Sequence, residues 1–246
     1  MAQDKMKTFF QPIYDVQANK TMGFEALNRP DNFTCFPNTD DFYEFVGQTK
    51  KVYLFERFCR NLSIRRYCEK IKKGRDAQDF ILFINIHPDI LLDKNYHSGE
   101  TLASLKSFGI SPQQVVFELT ERSAVTDFQE FSRVLSHYRK QGYRIAVDDV
   151  GSGYNSLKTL IYLKPEFIKI DRSLIQNIDT EVPQQQLLSV LLNYASQSET
   201  KVIAEGIERI EEYEYIRDAG VHFAQGYAIG RPNEQLYEAK IPLHHK

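Results

Sequence analysis

The stretch QVVFELTERSAVTDFQEFSRVLSHYRKQGYRIAVDD, residues 114–149, holds one complete structural unit. It opens on a β-branched and aromatic run, QVVFELT (114–120), and closes on another, RIAVDD (144–149). Between them Phe128, Phe131, Leu135 and Tyr138 recur at three- and four-residue intervals, the spacing of a single buried helical face. Thr126 or Asp127 is placed to cap that helix and Gly142 to stop it. A strand, a helix and a second strand in this order predict a parallel crossover.

The alternation continues in both directions. Further candidate strands are KTFFQPIYD (7–15), TMGFEALN (21–28), FILFINI (80–86), EFIKID (166–171), KVIAEG (201–206) and HFAQGY (222–227), which brings the number to eight. Only the first pair is joined by a link too short for a helix, so those two are expected to form an antiparallel hairpin. A long helix is predicted over 52–73, with Phe55, Phe58, Cys59, Leu62, Tyr67, Cys68 and Ile71 inward and its arginines and lysines mostly outward on a solvated face. Pro183 stands where another helix begins, and a last one, 208–219, ends at Gly220. Residues 30–50 read as an irregular connection beside the mouth of the site. Eight strands with a helix after almost every one predict an α/β fold, a TIM (β/α)8 barrel with an antiparallel first strand. A doubly wound open sheet is the alternative.

The 246 residues, 42% of them hydrophobic, suit one domain spanning 1–246. A net charge of −2 offers no global field for a nucleic-acid polymer, so an anionic ligand needs a local site. Cys35, Cys59 and Cys68 lack metal-ligand spacing and read as free thiols in a reducing cytoplasm. No run approaches the roughly 18 apolar residues of a membrane span, so no membrane association is expected.

Polar residues fall at the C-terminal end of one apolar run after another. Glu25 follows GF, Asn85 follows LFI, Glu118 follows VVF, Asp148 and Asp149 follow IAV, and Glu205 follows VIA. On parallel barrel staves these five carboxylates and one amide share a rim, where barrel enzymes place their catalytic groups. Any one of them alone is as well explained as a helix cap or a surface residue. Together they would repel and raise one another's pKa unless cations neutralised them, and an all-oxygen donor set favours Mg2+ or Mn2+ over zinc. Lys169 in FIKID should face the same side as Asp171, either as a structural ion pair or as a cation beside the metals.

The chain resembles the EAL family of cyclic di-GMP phosphodiesterases in eight blocks along its length. These are FQPI (10–13), FEALNR (24–29), INIHP (84–88), FELTE (117–121), DDVGSGYNSL (148–157), IKIDRSLI (168–175), IAEGIE (203–208) and QGYAIGRP (225–232). The resemblance implies that Glu25, Asn85, Glu118 and Asp148 bind one metal, and Asp148, Asp149 and Glu205 a second. The water between the ions would attack phosphorus in line. Lys169 then contacts that water, Asp171 supports it, Glu205 is the general base and Gln225 bonds near the reacting centre. Arg29 grips substrate phosphate, while Gln11 and Leu27 line the nucleotide pocket. Glu121 anchors the loop 148–157, which in the family also carries dimer contacts, so a homodimer is implied. Calcium, with its looser shell, is expected to inhibit.

The sequence departs from the family at Val150, Ser152, Asn155 and His87, and more broadly over residues 30–69. The expected reaction is hydrolysis of cyclic di-GMP to linear 5′-pGpG. A receptor that binds the messenger without cutting it is the alternative, and a barrel hydrolase for another phosphodiester is a third reading, which Arg29 and the pocket residues disfavour.

Overall fold

The computed structural model describes residues 5–31, 39–49, 52–71, 80–86, 98–120, 128–152 and 156–241. Within them eight strands close into a barrel in chain order: β1 (Met6–Asp15), β2 (Lys20–Pro30), β3 (Ile81–Asn85), β4 (Val115–Thr120), β5 (Arg144–Val150), β6 (Phe167–Ile170), β7 (Lys201–Ala204) and β8 (Phe223–Ala224). Strand β1 runs antiparallel to both its neighbours, and every other pair is parallel. The sequence expectation of a barrel with a reversed first strand therefore holds, and the open sheet is excluded.

The seam between the first and last strands is short. It pairs only Tyr14 with Ala224 and Asp15 with Phe223. The tail reinforces it, because Phe10 and Asn233 exchange backbone hydrogen bonds and the Ala239 amide donates to Thr21 Oγ1.

Helices cover the barrel as their periodicity requires. In Phe128–Lys140 the buried residues Phe131, Leu135 and Tyr138 face the sheet, and Gly142 follows at φ +98°. The expected caps Thr126 and Asp127 lie outside the described residues. Val182–Gln197 begins with Pro183 in its first turn and buries Leu188, Leu191 and Ala195. The last predicted helix is Ile210–Asp218.

Val52–Ile71 buries the expected apolar face, including the free thiols Cys59 and Cys68, while Cys35 lies outside the described residues. Its basic face is not wholly solvated. Arg60 is buried, and Arg66 donates to Met6 O and Thr8 Oγ1. The connection read as irregular over 30–50 contains a helix, Thr39–Gly47, whose Val46 joins Phe55 and Cys59 in a small apolar cluster. Packing against the long helix overrides the turn-forming composition that suggested a loop. Shorter helices at Ser98–Phe108, Ser156–Leu163 and Arg172–Ile175 complete the covering layer. No described helix is long and apolar enough to cross a membrane.

The barrel interior sets the height of the site. Ile13, Phe83, Val116, Ala146, Phe167 and Ile203 form a buried plug, with Phe223 packed against it. Side chains alternate across a strand, so the residues two positions further on face the same interior. Those residues are Asn85, Glu118, Asp148, Lys169, Glu205 and Gln225. On reversed β1 the equivalent position is Gln11, two residues before Ile13.

Candidate active site

Directly above the apolar plug, Lys169 sits in a cage of carboxylates with 1% of its side chain exposed. Its Nζ lies 2.8 Å from Glu118 and from Glu205, 3.3 Å from Asp148 and 3.4 Å from Glu25. Burial opposes its charge, yet Asp148, Glu118, Glu205 and Glu25 together hold the ammonium well above the ordinary lysine range. It is a fixed cation at every physiological pH.

One lysine does not satisfy the cage. Burial and then Glu25 push the Glu118 carboxyl well above 4.5, with Lys169 pulling the other way. Burial and then Asp148 do the same to Glu205. Glu25 differs because it has donors on both oxygens, Asn85 Nδ2 at 3.0 Å and Gln225 Nε2 at 2.8 Å. Burial raises its pKa, but Lys169 and these two amides outweigh it and hold the group below 4.5. Fully buried Glu118 has Oε1 2.8 Å from Lys169 Nζ and no other polar partner for Oε2 among the described residues.

Two groups of ligand atoms follow. Those of Glu25, Glu118 and Asp148 lie within 4.8 Å of one another, as do those of Asp148, Asp149 and Glu205. Asp148 belongs to both. Consecutive strand residues normally face opposite sides. Here β5 is irregular between Val147 and Val150, Asp149 adopts φ +58°, and its amide donates to Asp148 Oδ1. This bulge brings both aspartates to the same cluster.

The donor set fits divalent cations. It is all oxygen, and its five carboxylates face one ammonium, a formal −4 that two divalent ions would balance. Buried Glu118 Oε2, with no hydrogen-bond partner among the described residues, is an acceptor that a cation would satisfy.

A cavity enclosing about 190 Å³ adjoins the cluster, lined by Gln11, Glu25, Arg172, Glu205, Gly206, Glu208, Gln225, Gly226 and Tyr227. Gln11 is held by donation from Nε2 to Gly230 O. Leu27 and Arg29 lie further along the Glu25 face of β2, beyond this lining. Asp171 does not join the cluster. Its carboxylate caps the short helix Arg172–Ile175, accepting from the Ser173 amide and hydroxyl, because the chain leaves β6 at Ile170 and the strand alternation ends there. Glu121 and His87 lie outside the described residues, as do Gly153 and Asn155 of the loop 148–157. Arg172, Glu208 and Tyr227 were not singled out from sequence. Each stands one to three residues beyond a strand-end site residue, where the connecting loops of a barrel build its mouth.

The EAL domain family model matches residues 1–232. The chain belongs to the EAL domain family. Among curated EAL relatives, the chain is 30% identical over 238 residues to the probable cyclic di-GMP phosphodiesterase PdeN of Escherichia coli K12. That match covers 91% of this chain and 42% of PdeN, so the chain spans less than half the length of that relative. A standalone versatile EAL protein from Vibrio cholerae O395, solved in a c-di-GMP bound form, superposes with a TM-score of 0.81 at 27% identity, over 96% of this chain and 95% of its own. The manganese and cyclic di-GMP complex of Klebsiella pneumoniae BlrP1 gives 0.85 at 25% identity, over 99% of this chain and 60% of its own.

Proposed function

We propose that the protein hydrolyses cyclic di-GMP to linear 5′-pGpG with two Mg2+ or Mn2+ ions, residues 1–246 acting as one catalytic unit. The observation that carries this reading is Asp148, shared by two carboxylate groups at the C-terminal rim of the barrel. Glu25, Asn85, Glu118 and Asp148 would hold one ion, and Asp148, Asp149 and Glu205 the other. When bound, the ions supply the Lewis acidity that activates water and offsets phosphate charge. The oxygen of water would form the new bond to phosphorus as the P–O3′ bond breaks, and the 3′-oxygen would leave as a hydroxyl on taking a proton from solvent, while the proton of the attacking water passes to Glu205.

The chain's own residues order this chemistry. Glu205 would accept the proton of the attacking water, a role supported by its place on the cavity lining beside Lys169. Lys169, fixed at 2.8 Å from both Glu118 and Glu205, keeps those carboxylates aimed inward and places a positive charge beside the reacting phosphate. Gln225 and Asn85 hold Glu25 between their amides, so the floor of the site is rigid before substrate arrives. Arg29 receives the phosphate away from the reacting centre, with Leu27 on the same strand face and Gln11 across the cavity. Asp171 acts indirectly, by fixing the turn that follows Lys169.

The exposed residues Leu157, Ile161 and Tyr162 of helix Ser156–Leu163 support a homodimer. Leu187 and Val190 of helix Val182–Gln197 are exposed as well, and Tyr194 on that helix donates to Leu160 O. The calcium complex with cyclic di-GMP solved for BlrP1 supports the reading that Ca2+ enters such a site, and here it is expected to hold substrate without turnover.

The deciding experiment is product analysis after incubation with cyclic di-GMP and Mg2+ or Mn2+. Formation of 5′-pGpG is expected. Tight binding with no product would replace the enzyme by a receptor, and mainly GMP would contradict opening at a single phosphodiester.

A further inference from the structure

Strand β2 outruns its parallel neighbour. Among the described residues β3 pairs with it only from Gly23 to Ala26, whereas β1 follows it as far as Pro30. Leu27, Asn28, Arg29 and Pro30 therefore stand on a two-stranded ribbon above the closed barrel, and such ribbons are marginal on their own. Arg29 lies roughly 10 Å beyond the last β3 contact, so a tilt of about 6° there displaces its Cα by about 1 Å. On the inner face Lys7 is directly opposite Arg29, and like charges so placed push the strands apart; Asp31, 2.8 Å from Lys7, offsets part of this. The brace is on the outer face. Asn28 donates through Nδ2 to Ser63 Oγ at 2.8 Å and to Cys59 O at 3.3 Å, both on helix Val52–Ile71, and accepts from Thr8 Oγ1 at 2.7 Å. Arg66 of the same helix donates to Thr8 Oγ1 at 3.1 Å and to Met6 O at 2.7 Å. Thr8 and Ser63 are buried, so water does not compete for these bonds.

We infer that Asn28 is the positioning residue of Arg29: it clamps the ribbon to the long helix from behind and so fixes the height and angle at which the guanidinium meets substrate phosphate. The inference rests on the cyclic di-GMP reading above, in which Arg29 receives the phosphate away from the reacting centre. Neighbouring residues on a strand point to opposite faces, so Asn28 itself faces away from the cavity and acts only through the backbone it holds. Its polar network interrupts an otherwise apolar outer face, where Phe10, Phe24 and Ala26 pack into the core. An amide at 28 specifies one placement against Thr8 and Ser63, because hydrogen bonds are directional and an unpaired buried group is costly. The forked donors of Arg29 need that definition to meet a phosphate with two parallel bonds. A phosphate remote from the reacting bond is bound alike in the ground and transition states, so loosening the clamp should raise KM and leave kcat.

The test is a double-mutant cycle. Dissociation constants for cyclic di-GMP are measured calorimetrically in Ca2+ for wild type, Asn28→Ala, Arg29→Ala and the double variant. Asn28→Ala is expected to weaken binding roughly three- to tenfold when Arg29 is present and by less than about twofold once it is gone. With Mg2+, kcat of Asn28→Ala is expected within about twofold of wild type while KM rises. Equal weakening in both backgrounds means a general loosening of the fold and overturns the inference, as does unchanged binding by Asn28→Ala or by Arg29→Ala. If Arg29→Ala binds too weakly to measure, the kinetics of Asn28→Ala decide, and a fall in kcat at unchanged KM refutes the positioning role. Should Asn28→Ala not fold, Ser63→Ala, which removes one acceptor and leaves the amide, is taken through the same cycle with the same criteria. Formation of 5′-pGpG by wild type in Mg2+ separates the two possible failures: with product formed, a failed cycle removes only the role of Asn28, and with neither product nor binding the phosphodiesterase reading falls and the role of Asn28 with it.

Discussion

Replacing Lys169 by Met removes, among the described residues, the only ammonium from a cage that holds Glu25, Glu118, Asp148 and Glu205. The side chains are similar in length, so the change is mainly one of charge. Breaking a buried ion pair by deleting one partner costs about 3–5 kcal/mol, because the other charges stay buried. For a chain of this size each kcal/mol moves the melting temperature by about 2–4 °C, so the metal-free variant should melt roughly 6–20 °C below wild type. Added Mn2+ restores positive charge to the cage and should narrow the gap, with about 2.7 kcal/mol of stabilisation available at a hundred times its dissociation constant. Glu118, fully buried and 2.8 Å from Lys169, is the carboxylate to neutralise in compensation, and Lys169→Met/Glu118→Gln should recover part of the loss. Differential scanning calorimetry at pH 8 in EDTA and then in Mn2+ measures all of this. A Lys169→Met protein melting within about 2 °C of wild type in EDTA would refute the view that this lysine holds the cage together.

Two further outcomes are expected. The raised carboxyl pKa values of Glu118 and Glu205 mean that the folded state binds their protons more tightly than the unfolded chain, a contribution fully present below 4.5 and lost as pH rises through the folded values. The melting temperature of metal-free protein should therefore fall as pH is raised from 5 to 8, and saturating Mg2+ should flatten the slope; a metal-free profile that rises over this range contradicts the charge balance of the site. Glu25→Ala should abolish turnover and weaken Mn2+ binding by calorimetry, whereas Asp171→Ala should leave Mn2+ affinity within about threefold and lower stability by about 1 kcal/mol, the worth of a helix cap; equal loss of metal affinity in both would contradict the separation of Asp171 from the metal ligands.

The barrel and most of its rim were legible because both rest on a period of two. Phe83 to Asn85, Val116 to Glu118 and Phe167 to Lys169 are single alternation steps on buried strands, and a sequence displays them directly. Asp149 is different. Its place at the strand end put it on the rim, but alternation assigns it to the face opposite Asp148, and it is the irregularity in β5 with its positive φ that turns it inward. At Asp171 the converse happens: the alternation that serves Lys169 ends at Ile170, and the carboxylate caps the helix that follows, a role the sequence reading did not include. Helix Thr39–Gly47 escaped because its residues favour turns, and its reason for being helical is the distant apolar face formed by Phe55 and Cys59. Arg172, Glu208 and Tyr227 lie in loops, where position depends on how neighbouring connections pack and no periodicity applies.

The order in which a ribosome delivers the chain bears on the short seam between β1 and β8. Glu25 emerges early, but the amide that fixes its second oxygen belongs to Gln225, 200 residues later. The reversed first strand must wait for Tyr14 to meet Ala224 before the ring exists, and for Asn233 to reach Phe10 before the tail secures it. Every carboxylate of the cage is supplied by a different stave except the Asp148 and Asp149 pair, so no shorter folded intermediate assembles the metal ligands. Such long-range closure is slow relative to local helix formation. The cluster of carboxylates is therefore complete, with Glu25 held on both oxygens, only once synthesis has passed the last strand and the ring has closed.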